Sequence, residues 1–250
     1  MQGRNTPSWL RAIPPVTRNL LIINILIWLV ELIPGFQSVL LRRLALHFWG
    51  GADFNPAQLV TYCFLHDPGS IIHIGFNMFT LWMFGRLMEQ VWGSKRFFIF
   101  YFVCAIGAAL VQELVWQFTW MHELASVNNM SVAQLNAALQ QQSAIDPVEV
   151  KNLLETTKNS LVCLGASGAI FGILLGFAFV FPNMPLYLFF IPIPIKAKYM
   201  VIGYAVLEFF LGVSGGGTVA HFAHLGGMLF ALPMLLYWMK QGSLRGNRFF

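Results

Sequence analysis

Charge is what this sequence has least of. Lys, Arg, Asp and Glu together make up 10% of its 250 residues, where soluble domains run at roughly 25%. With 57% hydrophobic residues and a mean hydropathy of +0.66, the chain cannot cover itself with a water-facing shell. Acidic residues are the scarcer sign, 10 against 15 basic ones, and no buried acidic rings of the kind that line ion pathways are visible. The basic residues never merge into one patch, which argues against a nucleic-acid partner. Cysteine is limited to Cys63, Cys104 and Cys163, an odd number without metal-ligand spacing, and these read as small apolar packing residues. No metal and no cofactor are expected. An internal repeat, the mark of many transporters, is also missing. The polar, basic N-terminus and the lack of a small-residue site after the first apolar run give no sign of a cleavable signal peptide.

Long apolar runs are what the sequence does have, several reaching the about 20 residues that a helix needs to cross a bilayer. They predict an all-α integral membrane protein with six spans: Leu20–Phe36, Ile71–Trp92, Phe97–Trp120, Leu161–Phe181, Lys198–Val213 and Thr218–Met239. Arg4, Arg11, Arg18, Lys95, Arg96, Lys196, Lys198, Lys240, Arg245 and Arg248 all fall on one side of this arrangement. The positive-inside rule makes that side cytoplasmic. The expected organisation is a basic cytoplasmic segment over residues 1–19, a six-helix membrane domain over 20–240 and a cytoplasmic tail over 241–250. Both termini are then cytoplasmic, and the expected location is a bacterial-type inner membrane.

Two loops on the outer face are long. Gln37–Ser70 mixes apolar and aromatic residues with few charges and suits the membrane interface. The insert over 121–160, between the third and fourth spans, is polar. Within it Asp146, Pro147 and Glu149 form a helix start, and "SVAQLNAALQQQ" is a weaker helix candidate. Between the fourth and fifth spans, Pro185, Pro192 and Pro194 interrupt an apolar stretch, which reads as a bent segment at the cytoplasmic interface.

Polar groups inside a membrane are costly, so each is a functional hypothesis. "HIGFN" puts His73 and Asn77 on one face of the second span. Ser167 and His224 each lie about six residues from the outer end of their spans, roughly 9–10 Å deep. Three spans therefore deliver four polar groups to one layer. Gly168, Gly172 and Gly176 recur every fourth residue on the fourth span, and Gly227 and Ala231 form a shorter small-residue face on the sixth. Such faces let backbones approach closely in lipid. If they meet, the Ser167 hydroxyl and the His224 imidazole come within reach, and histidine is the usual base for a serine nucleophile. Taken singly, each motif has a plain packing reading. Their coincidence at one depth points to chemistry.

Together "GASGAIFG", "HIGFN", "GRLMEQVWGSKRF" and "AHLGG" resemble the motifs of the rhomboid family of intramembrane serine proteases, over about Leu20 to Met239. The resemblance implies a rhomboid-like six-helix bundle with a long outer first loop. It places the nucleophile on Ser167, between Gly165 and Gly168, the general base on His224, and the oxyanion-stabilising side chains on His73 and Asn77 with the Ser167 backbone N–H. Gly227 belongs to the supporting set, and Phe171 stands where the family often has an aromatic residue against the imidazole. Glu89 and Gly93 match a structural motif near the cytoplasmic end of the second span. In the first outer loop, Gln58-Leu59-Val60 stands where the family commonly has a Trp-Arg pair.

The implied activity is hydrolysis of peptide bonds in or near the transmembrane segments of other membrane proteins. Substrates would carry small residues at the cut and helix-weakening Gly or Pro. No carboxylate is clearly placed to orient His224, so a Ser-His dyad is expected, with Glu208 in the fifth span as the one exception. An inactive, membrane-protein-binding relative and a channel or transporter are the alternatives.

Overall fold

The computed structural model describes residues 13–127, 130–140, 147–188, 191–214 and 221–242. Helices dominate: α1 (Pro15–Glu31), α2 (Phe36–Leu44), α3 (Ile71–Trp92), α4 (Ser94–Val127), α5 (Val132–Gln140), α6 (Pro147–Ser160), α7 (Ser167–Val180), α8 (Ala197–Val213) and α9 (His221–Lys240). A π-helical stretch, Leu81–Gly85, interrupts α3 without ending it. Among the described residues, Ile71–Trp92, Ser94–Ser126 and His221–Lys240 are long and apolar enough to cross a membrane, and Ser167–Val180 is a shorter apolar helix.

Helices α4, α7 and α9 form the centre, and glycine sets their spacing. A Cβ on Gly227 of α9 would collide with the Gly168 carbonyl of α7. One on Gly168 would come within 2.5 Å of the Ala108 methyl on α4, and one on Gly172 within 2.5 Å of Cys104 Sγ. The small-residue stripe is thus a three-helix junction, with α4 as a partner that the α7–α9 pairing alone did not include. Cys104 is fully buried in that seam.

Strand β1 (Leu46–His47) pairs antiparallel with β2 (Val162–Cys163), in register Leu46–Cys163 and His47–Val162. This corrects the expected fourth span: residues 161–166 are not helical, and α7 begins at Ser167. The bent, proline-rich segment is a second antiparallel pair, β3 (Pro185–Leu188) with β4 (Ile191–Lys196). A two-stranded ribbon has an outward edge on each strand, so prolines are tolerated there. The third expected span is lengthened at both ends, to Ser94–Val127. Helix α6 starts at Pro147, while Asp146, its expected cap, lies outside the described residues, as do residues 218–220 of the expected sixth span. The weaker candidate in the insert forms helix α5.

The outer loop is fastened from inside. The backbone N–H of Trp49 donates to Glu113 Oε2 at 2.8 Å and its indole to Gln117 Oε1 at 2.8 Å. The Tyr62 hydroxyl donates to the Ala105 carbonyl at 2.7 Å, and the His66 N–H to Glu31 Oε2 at 3.1 Å. Gln58 is buried. Its Oε1 accepts from the backbone of His47 and Asn55, and its Nε2 donates to the Asp53 carbonyl at 3.0 Å. At the far end of α3, Glu89 receives the backbone N–H groups of Val16 and Thr17 and the hydroxyls of Thr17 and Ser94, at 2.7–2.9 Å. Helix α1 has no side-chain cap of its own. A carboxylate from another helix satisfies its orphan donors instead.

Candidate active site

Ser167 is the first residue of α7, reached through an extended strand and a turn at Gly165. Gly165 has φ +122, a conformation that side chains rarely adopt, and its N–H donates to the Tyr62 carbonyl at 3.0 Å. The turn delivers the serine to a helix N-terminus, where backbone N–H groups lack intrahelical partners and the dipole favours negative charge. A serine six residues into a helix would have spent its amide on the helix ladder. The start of α7 therefore matters chemically.

His224, on the first turn of α9, is 8% exposed. Its Nε2 lies 2.7 Å from Ser167 Oγ. The Phe171 ring, one turn along α7 from the serine, stacks on the imidazole at 4.3 Å between centroids and 5° between planes. The other ring nitrogen, Nδ1, is 2.9 Å from Glu208 Oε2, although the carboxylate sits off the N–H direction. The same oxygen is 2.7 Å from His221 Nδ1. Glu208, the exception to the expected dyad, is thus the carboxylate beside His224. These three ligand-type atoms lie within 4.8 Å of one another, a His₂Glu set of the kind that holds zinc. Here both nitrogens already face one carboxylate oxygen at hydrogen-bonding distance.

His73 borders the same space from α3. The Cβ position of Gly165 lies 3.0 Å from His73 Nε2 and 3.7 Å from Ser167 Oγ. His73 Nδ1 accepts a long hydrogen bond, 3.4 Å, from the Asp67 backbone N–H. An accepting Nδ1 puts the ring proton on Nε2, the nitrogen beside Gly165. Asn77 is buried one turn further on, and its amide donates to the His73 carbonyl at 3.0 Å. His66 packs its ring 5.1 Å from that of His73 and is fully buried. Burial, with the neighbouring His73, pushes its pKa down to about 3, so this imidazole is neutral.

The structure thus gathers Ser167, His224, Phe171, Gly165 and His73 at one place, with Gly168 and Gly227 in the helix contact beside it, and leaves the Asn77 amide bonded to its own helix. Glu208 is the exception kept from the sequence, whereas the contact of His221 with the same oxygen was not foreseen. A single carboxylate in an apolar span is a costly anomaly, and that anomaly was the available signal.

Residues 53–241 match the family model described as the Rhomboid domain. Among curated proteins, the chain is 27% identical over 184 residues to "Rhomboid protein 1, mitochondrial" of Saccharomyces cerevisiae, a match covering 70% of this chain and 40% of that protein. The chain thus spans less than half the length of this relative.

Proposed function

Because the chain belongs to the rhomboid family, we propose that it is an intramembrane serine endopeptidase, with Ser167 as nucleophile and His224 as general base. The observation that carries this reading is the 2.7 Å contact between His224 Nε2 and Ser167 Oγ across two helices. His224 takes the hydroxyl proton as Oγ attacks the scissile carbonyl, and the C–O bond that forms leaves a tetrahedral oxyanion. Collapse breaks the peptide C–N bond, and His224 returns the proton to the leaving amine. Water, deprotonated by the same imidazole, then hydrolyses the acyl-enzyme.

The oxyanion would be held by the Ser167 backbone N–H, the His73 Nε2–H and the Asn77 amide, which has to turn from the His73 carbonyl to take part. One such donor is worth about 2.7–4 kcal/mol of barrier.

In this reading six helices span the membrane: α1, α3, α4, α7, α8 and α9. Exposed apolar side chains support lipid contact for the two 17-residue helices among them, Ile22, Leu26 and Leu29 on α1 and Val206, Phe209 and Phe210 on α8. Helix α7 has 14 residues and covers about 21 Å, about 9 Å less than a ~30 Å hydrocarbon core. If its inner end lies at the inner boundary, Ser167 sits that far below the outer one, where water must enter from outside. The charge distribution supports cytoplasmic termini in a bacterial-type inner membrane.

Substrates would be transmembrane proteins with small residues at the cut. Their helices would be weakened by Gly or Pro, since a fully paired helix hides its carbonyls from attack. A fluorophosphonate probe tests the reading. We expect covalent labelling of the wild type, none in Ser167→Ala, and strong reduction in His224→Ala. Absence of labelling in the wild type, or labelling undiminished in Ser167→Ala, would overturn it.

A further inference from the structure

Among the described residues, four glutamates sit buried or nearly buried on the membrane-type helices, and three have structural occupations. Glu31 accepts the His66 N–H, Glu113 the Trp49 N–H, and Glu89 the N-terminal amides of α1. Glu208 differs. Its side chain is 13% exposed, and one oxygen, Oε2, faces two imidazoles at 2.7 and 2.9 Å. A carboxylate in a membrane helix is expensive unless something at that place requires it.

Resting on the protease reading above, we propose that Glu208 is a positioning residue that holds His224 in its working tautomer, with His221 as the second hold on the same oxygen. For His224 Nε2 to take the Ser167 proton it must carry a lone pair, so the ring proton must lie on Nδ1. An ionised carboxylate accepts but does not donate, and placed at Nδ1 it selects that tautomer. When the imidazole takes up the serine proton, the adjacent negative charge stabilises the cation, the part an aspartate plays in soluble triads. The carboxylate needs no hydrogen-bond line along the Nδ1–H direction at rest, since catalytic contacts often tighten only when substrate is bound.

His221 lies one turn before His224 on α9, and its contact with Oε2 keeps the carboxylate from swinging away from the active ring. Phe171 closes the opposite side by stacking on it. The ring is therefore bounded by Ser167 at one nitrogen, Glu208 at the other and an aromatic face, which fixes both its orientation and its protonation pattern. The site would be a triad assembled from three helices: serine from α7, histidine from α9 and glutamate from α8.

The experiment measures two quantities on the full chain in liposomes: the fluorophosphonate labelling rate constant of Ser167 and the fraction of molecules that label. Cleavage of a single-span model substrate, resolved into kcat and KM, accompanies them. For Glu208→Gln we expect the labelling rate and kcat to fall about 10²- to 10⁴-fold, the upper figure being the loss seen when a soluble triad loses its carboxylate. KM and the labelling fraction should stay near wild type. Glu208→Asp should recover part of the rate. His221→Phe should lose less than Glu208→Gln, and His221→Gln, which keeps a donor, less again.

A purely structural role would lower the labelling fraction and leave the rate constant of the remaining molecules unchanged, and that result overturns the proposal. So does a Glu208→Gln rate equal to wild type while Ser167→Ala stays dead. Should Glu208→Gln fail to fold, the rates of Glu208→Asp and the two His221 variants decide: unchanged rates in all three overturn the proposal. A wild type that never labels overturns the protease reading itself.

Discussion

At Gly165 the difference between a hydrogen and a methyl group separates an open site from a filled one. The missing Cβ would stand 3.0 Å from His73 Nε2 and 3.7 Å from Ser167 Oγ, in the space that the proposed reaction reserves for the substrate carbonyl oxygen. Its φ of +122 adds backbone strain for any L side chain, on the order of 1–3 kcal/mol. Gly165→Ala should therefore lower the thermal midpoint modestly and reduce the Ser167 labelling rate of the folded molecules by about a hundredfold, because the methyl group blocks the His73 Nε2–H donor. Labelling at wild-type rate in the folded variant would show that the space is not used. His66 makes a separate prediction. Folded, it stays neutral down to about pH 3, whereas in the unfolded chain it takes a proton near 6.5. Between those values the unfolded state binds the extra proton, so stability falls on acidification by up to about 1.4 kcal/mol per pH unit. Thermal unfolding of wild type and His66→Gln across that window should show a steeper loss for the wild type. Parallel curves would contradict the assignment.

Helix α1 is held at its N-terminal end by a side chain from another helix. Its first two amides and the Thr17 hydroxyl all go to Glu89. Removing that carboxylate strands several donors in a buried place, each worth about 1–3 kcal/mol. Glu89→Ala should accordingly lose on the order of 3 kcal/mol of stability. Glu89 lies 16 residues from His73 along α3, about 24 Å, so the labelling rate of the molecules that remain folded should hold. A drop in that rate would mean that α1 reaches the site. The same scale shows what the sequence made legible. The apolar run of Ile71–Trp92 and the glycine stripe could be read because periodicity and residue size act locally. The break at residues 161–166 could not, because "LVCLGA" is as apolar as the helix that follows. Only its pairing partner, Leu46–His47, makes it a strand. Glu208 was visible as an anomaly, but its aim at His224 depends on how α8 packs beside α9, which no spacing along the chain encodes. The prolines of residues 185–196 announced an interruption and left its hairpin form to the long-range pairing.

At the scale of the molecule, the outer loop and the segment leading into Ser167 behave as one body. Besides the β1–β2 pairing, the Phe48 N–H donates to the Leu161 carbonyl at 3.2 Å, the Asp53 N–H to Asn159 Oδ1 at 3.3 Å and the Gly165 N–H to the Tyr62 carbonyl at 3.0 Å. Residues 46–62 thus grip residues 159–165 directly, without help from the peptide path through the insert. Further down, α7 is clamped by α4 and α9 at the glycines. Two separately synthesised halves, 1–143 and 144–250, should consequently find each other in a bilayer, copurify and restore a reactive Ser167 that neither half displays alone. Failure of the halves to associate would mean that covalent continuity, and not this grip, keeps Ser167 in place. With association, the insert becomes a site where foreign sequence can be grafted without disarming the protein.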